Sequence, residues 1–193
     1  MDDQRRWGTP QQSEKTNASN TNKSLAWWPS SDIVYQKPGV RNFIRVNEKT
    51  QAETAIIQHD ESVGWVPYKP VFSPDGKKLA VSWNRKPVGL WIISLEPYSE
   101  TSVLAGDIFP FGWSPDGKYV YAMRGGNKII RVQATTPNEI ISVAALPGNV
   151  VDYDSASVSP DGLQIIASVA EEKSDVWLME NFDPSARATR LQQ

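Results

Sequence analysis

Apolar residues along this chain fall into short blocks rather than helical stripes. From Leu25 onward, runs of four or five apolar, β-branched or aromatic residues alternate with polar, Gly- or Pro-containing breaks, as in Leu79-Ala80-Val81-Ser82-Trp83, Gly89-Leu90-Trp91-Ile92-Ile93 and Ser102-Val103-Leu104-Ala105. Runs of this length, bounded by turn residues, predict strands; a helix needs a longer stretch with a period near 3.6. The same order returns as Tyr119-Val120-Tyr121-Ala122-Met123, Lys128-Ile129-Ile130-Arg131-Val132 and Ile140-Ile141-Ser142-Val143-Ala144. It returns again as Ile165-Ile166-Ala167-Ser168-Val169 and Asp175-Val176-Trp177-Leu178-Met179, with a weaker run at Ala188-Thr189-Arg190-Leu191.

Self-similarity fixes the organisation of these strands. The string Ser-Pro-Asp-Gly occurs at Ser73–Gly76, Ser114–Gly117 and Ser159–Gly162, spaced 41 and 45 residues apart. One four-stranded propeller blade occupies about 40 to 50 residues, so each copy marks one blade, with strands A to D in chain order. Before each copy stands an apolar residue (Phe72, Trp113, Val158) that ends strand A. An upstream unit lacks the full turn but keeps the rest: Leu25-Ala26-Trp27-Trp28, Ile33-Val34-Tyr35, Asn42-Phe43-Ile44-Arg45-Val46 and Thr54-Ala55-Ile56-Ile57. In it Phe43-Ile44-Arg45-Val46 aligns with Ile129-Ile130-Arg131-Val132. The expected fold is therefore all-β: four four-stranded antiparallel β-propeller blades at about 24–60, 68–106, 109–147 and 153–193. Residues 1–23 are dominated by Gln, Asn, Ser, Thr and charge, with Trp7 the one large aromatic side chain, and are expected to be a disordered tail, because they bury too little surface to offset the entropy of ordering.

Ser-Pro-Asp-Gly is turn chemistry first. Proline presets φ, aspartate caps a local N–H, and glycine takes positive φ without a Cβ penalty. A shared metal or acid site made of Asp75, Asp116 and Asp161 is disfavoured, since equivalent residues of separate blades lie around a ring rather than converging. Trp91, Ile130 and Trp177 hold equivalent strand C positions, where blade-to-blade packing is expected.

The stretch Phe72-Ser73-Pro74-Asp75-Gly76-Lys77-Lys78-Leu79-Ala80, followed by Leu90-Trp91-Ile92-Ile93, and its two partners resemble WD-like β-propeller repeats of the TolB type, over nearly all of residues 25–193. That resemblance implies an interaction platform, the non-catalytic half of a peptidase, or a carboxy-terminal sensor-like region on a bacterial kinase or DNA-binding regulator. The stretch from Lys173 to Pro184 resembles the last blade of the third group. Propellers of this family usually close with six or more blades. With four visible, the resemblance implies an open arc, a fragment of a longer ancestor, or chains pairing to complete a ring.

Composition narrows the function classes. The chain has 193 residues, 39% of them hydrophobic, and carries 20 Lys+Arg against 22 Asp+Glu, a formal net charge of −2. No electrostatic footprint for nucleic acid or an anionic membrane surface follows, and neither partner is expected. Cysteine is absent, which removes disulfides and thiolate chemistry and leaves the redox compartment open. No secretory or membrane-spanning apolar run is visible, so a cytoplasmic location is the default expectation. The lone histidine, His59, cannot form a histidine metal cluster, and with Asp60 and Glu61 it reads as a solvated loop. Gly125-Gly126-Asn127 reads as hairpin punctuation rather than a phosphate loop. The chain contains neither a Gly-x-Ser-x-Gly elbow nor kinase motifs, so no catalysis and no cofactor are expected.

The remaining candidate site is the propeller end where D-to-A connections and B-to-C loops gather. Those connections are aromatic and acidic, supplying Trp65, Tyr68, Phe109, Asp152, Tyr153 and Asp154 as candidate ligand-binding residues. Aromatic rings beside fixed carboxylates suit protein or peptide contacts. The same rings equally suit a plug for the mouth of the core. The expected function is a non-enzymatic module that binds a protein or peptide. The alternative is an accessory carboxy-terminal propeller fragment of a larger kinase, transcriptional regulator or peptidase. A hydrolase using Asp152 and Asp154, two apart on one strand face, is a distant third.

Overall fold

Short polar breaks let each apolar run fold back on the one before it, and every described strand pairs antiparallel with a sequence neighbour. A computed structural model describes residues 25–28, 32–36, 42–47, 49–58, 68–150 and 156–170. The first sheet holds β1 (Leu25–Trp27), β2 (Ile33–Gln36), β3 (Phe43–Val46) and β4 (Glu53–Ala55) in chain order. The second holds β5 (Tyr68–Phe72), β6 (Lys78–Trp83), β7 (Gly89–Leu95) and β8 (Tyr98–Ala105). The third holds β9 (Ile108–Trp113), β10 (Tyr119–Arg124), β11 (Lys128–Gln133) and β12 (Ile140–Ala145). A fourth begins with β13 (Ala156–Val158) paired to β14 (Ile165–Ala167). The described residues contain no helix, and the all-β blade architecture expected from the repeats is the one found. The tail 1–23 and the expected strands at 175–179 and 188–191 lie outside the described residues.

The inner strands define the axis. β1 lies against β5, β5 against β9, and β9 against β13, so among the described residues the sheets stand as successive blades in an open arc. Equivalent ends of strand A interlock along this line. The Trp28 and Phe72 rings lie 4.6 Å apart. Trp113 Nε1 donates to the Val71 carbonyl at 2.8 Å, tying the third blade to the second. Gly112 leaves room for Val158 of the fourth blade, whose Cγ1 would lie 2.2 Å from any Cβ placed there.

Successive strand residues point to opposite faces, and the second blade uses both faces. Leu79, Val81, Trp83, Trp91 and Ile93 pack against Val34, Phe43, Ile56 and Ile57 of the first blade. Ala80, Leu90 and Ile92 pack, with Val103 and Leu104, against Ile108, Trp113, Val120, Ala122, Ile130 and Val132 of the third. Cross-strand register keeps each set together: Leu79 opposes Ile93 and Val81 opposes Trp91, while Ala80 opposes Ile92. Trp91 and Ile130 thus do pack between blades, as their strand C position implied. Trp177 lies outside the described residues.

Two D strands differ from their expected limits. In the first blade the strand ends at Ala55, and Ile56 and Ile57 turn inward to 8% and 3% exposure. The buried Asn42 side chain drives this bend: its Oδ1 accepts from Ile57 N–H at 2.9 Å and its Nδ2 donates to the Ile57 carbonyl at 2.7 Å. In the second blade the strand begins early, at Tyr98, because Leu95 pairs with Tyr98 across a tight turn.

Blade stacking should dominate stability. Ile93 is fully buried between blades, so Ile93→Ala should lower unfolding free energy by about 2 to 5 kcal/mol in urea titrations followed by tryptophan fluorescence. Ile166, 74% exposed, should tolerate the same change within about 0.5 kcal/mol.

Candidate functional site

The three Ser-Pro-Asp-Gly segments have one geometry. The serine hydroxyl donates to its aspartate Oδ1 at 2.6, 2.6 and 2.5 Å in turn. That Oδ1 also accepts the N–H of Lys77, Lys118 or Leu163 at 3.0 to 3.1 Å. The serine Oγ then accepts the N–H five residues on, at Lys78, Tyr119 or Gln164. Gly76, Gly117 and Gly162 take φ of 69°, 67° and 73°. Hydrogen bonds from Ser73, Ser114 and Ser159, followed by those backbone donors, hold Asp75, Asp116 and Asp161 below the usual carboxylate range. Each carboxylate is committed to its own turn, and neighbouring turns touch: Pro115 packs where a Gly162 Cβ would sit, 2.6 Å from its Cδ.

At the other end of the blades the connections lace together through their backbones. Gly106 N–H donates to the Val88 carbonyl at 2.9 Å, and Gly125 N–H to the Asp107 carbonyl at 3.2 Å. Leu146 and Val150 donate to the carbonyls of Asn127 and Gly126 at 2.8 and 2.9 Å, and Ala170 donates to that of Asn149 at 2.9 Å. Each D-to-A connection in this set is thereby pinned to B-to-C loops, and Gly125-Gly126-Asn127 is the hairpin its sequence suggested.

Tyr68 and Phe109 both stand at the start of strand A on this laced end. Tyr68 opens β5 opposite Ser82, and Phe109 lies in β9 opposite Met123; both are half-buried. The ladder is irregular beside Tyr68, where Lys69 takes φ of 56°. Trp65, Asp152, Tyr153 and Asp154 lie outside the described residues, as does His59.

Two polar clusters on the flanks were not singled out from sequence. In the second blade, Arg85 ion-pairs with Glu100 and stacks over Trp83 and Trp91 at 5.2 and 5.1 Å. Tyr98 donates to Glu100 Oε1 at 2.5 Å and accepts the Gln58 N–H at 2.9 Å, bridging to the first blade. Burial, then that bond to Glu100, raises the Tyr98 phenol pKa, so the phenol stays a donor. In the first blade Arg45 binds Asp32 Oδ2 through Nη2 at 2.5 Å and Nε at 2.6 Å, and lies 4.3 Å over Trp28. For Arg45 the available signal was a charged residue inside the otherwise apolar strand β3.

Radial antiparallel blades with a laced loop end define a β-propeller. The sequence matches no protein-family model and no curated protein. Among solved structures, the chain is similar to TolB from Acinetobacter baumannii, with a TM-score of 0.57 at 21% identity over 74% of this chain and 36% of that one. A putative TolB from Agrobacterium tumefaciens matches with 0.58 at 16% over 74% and 52%. XC5397, a gluconolactonase from Xanthomonas campestris, matches with 0.58 at 13% over 80% and 57%. The fold is thus of the TolB-type propeller, and the chain spans about a third to somewhat over half the length of these structures.

Acid sensitivity should follow from the turns. Asp75, Asp116 and Asp161 lie below their ordinary value of 3.8 in the folded chain, so the unfolded chain binds more protons as the medium becomes acidic. Their stabilisation is present above that ordinary value and is lost as pH falls through the folded ones. An Asp75→Asn, Asp116→Asn, Asp161→Asn variant should be less stable at neutral pH and show a flatter acid limb below about pH 4. Urea midpoints measured across pH 2 to 7 would reveal it; an unchanged limb would remove the turns from the account.

Proposed function

We propose that this chain is a non-enzymatic β-propeller module that binds a protein or peptide through the loop end bearing Trp65, Tyr68, Phe109, Asp152, Tyr153 and Asp154. The observation that carries this reading is the backbone lacing of successive connections, from Val88 through Gly106, Asp107, Gly125, Gly126 and Val150. A loop surface already tied in place loses little entropy when a partner docks. Half-buried aromatic side chains at its inner margin, Tyr68 and Phe109, offer large contact area from a supported position. General acid–base work calls for groups poised near the working pH, whereas the carboxylates displaced among the described residues are pushed down and held in turns. Likeness to a gluconolactonase at 13% identity extends to the fold.

A second reading is favoured by length. Because the chain spans 36 to 57% of the similar structures, it suits an accessory segment of a larger kinase, regulator or peptidase, or copies that complete a ring together. Light scattering separates these: a stable multiple of the monomer mass is expected for ring completion, and a monomer for an accessory segment.

The first reading is checked by panning a random dodecapeptide display library against the immobilised chain. Enriched peptides are expected, with affinity reduced at least tenfold by Tyr68→Ser with Phe109→Ser, while the β-type circular dichroism spectrum persists. Absence of enrichment, or peptides indifferent to both substitutions, would count against this surface.

A further inference from the structure

A groove of about 340 Å3 runs between the first and second blades, at the far end of β5 from Tyr68. Trp28, Arg45, Ala55 and Ile56 line it from the first blade, and Lys77 and Leu95 from the second. Its first wall is a sheet edge. Ile56 N–H donates to the Phe43 carbonyl at 2.9 Å and Asn47 N–H to the Ala52 carbonyl at 3.0 Å, which makes those the hydrogen-bonded pairs of the β3–β4 ladder. Ile44 and Ala55, one step along, form a non-hydrogen-bonded pair. Ala55 therefore aims its N–H and C=O away from β3, off the outermost strand of its sheet among the described residues.

Charge adds selectivity to this edge. The Arg45 guanidinium is fixed before any ligand arrives, by the buried Asp32 on Nε and Nη2 and by the Trp28 ring beneath it. Its Nη1 makes no hydrogen bond among the described residues, and Lys77, exposed on the opposite wall, makes no salt bridge among them. Glu96 also lines the groove, and its like charge opposes a densely acidic ligand. The floor at Ile56 is apolar and 8% exposed.

We propose that this groove takes an extended peptide segment of a partner protein, paired to the β4 edge at Ala55, with one acidic side chain held between Lys77 and Arg45 Nη1. Strand addition supplies affinity through main-chain hydrogen bonds, and side-chain contacts supply choice. The site is separate from the loop end and does not depend on its function.

Fluorescence anisotropy with fluorescein-labelled Thr-Val-Glu-Val-Thr, its Lys-centred counterpart, and a version N-methylated at the glutamate and both valine amides tests the proposal. Saturable binding is expected for the Glu peptide, weakened at least tenfold by the Lys centre, by N-methylation, by Lys77→Glu and by Ala55→Pro. The last removes an outward N–H and spares the ladder to β3. Circular dichroism and urea midpoints verify folding, and N-methylation tests the pairing without altering the protein. Tyr68→Ser with Phe109→Ser should leave this binding intact. The proposal fails if the Glu peptide does not saturate, if Lys77→Glu or N-methylation has no effect, or if the loop-end substitutions abolish binding. It also fails if the chain self-associates through the groove, seen as a concentration-dependent mass that Lys77→Glu abolishes.

Discussion

The second sheet is apolar on both faces and can leave water only by being covered twice. Trp83 and Ile93 look to the first blade, Leu90 and Ile92 to the third, and all four are buried. A lone four-stranded sheet with this composition would expose both of those faces, so stability resides in the contacts between repeats more than within any one of them. Everything else in the molecule, the radial order, the shared axis and the two proposed binding edges, depends on that stacking.

Stacking also explains how short motifs act over long range. Each Ser-Pro-Asp-Gly turn satisfies its own backbone and then meets the next turn, Pro115 against Gly162. Trp113 reaches from one strand A to the carbonyl of another 42 residues earlier. These contacts set the pitch of the arc, and the pitch brings Val88, Gly106, Asp107 and Gly125 within backbone hydrogen-bonding distance in sequence. The proposed binding end is in this sense a product of the core, with Tyr68 and Phe109 placed at its margin by the first residues of strand A.

The two faces of the module have different chemistry. At the loop end, backbone lacing and aromatic side chains form a surface suited to a partner's side chains. Beside the first turn, an open strand edge and a fixed guanidinium form a slot suited to an extended main chain. The two proposed surfaces are carried by different strands of the same stacked sheets.

Repeat length, blade order and turn conformation were legible in the sequence, since apolar alternation, a recurring turn string and glycine's tolerance of positive φ are local properties. Tyr68 and Phe109 could be assigned to one end for the same reason: their place at the start of strand A follows from the repeat. The early end of β4 could not be read, because it depends on the Asn42 amide clasping Ile57 from 15 residues away. Nor could the slot at Arg45. The sequence shows an arginine in an apolar strand, but its partnership with Asp32 and Trp28 needs the first sheet folded, and the groove it shares with Lys77 exists only once two blades lie side by side. Local steric and hydrogen-bonding preferences wrote the blades, while the spaces between blades arose from packing that no single segment encodes.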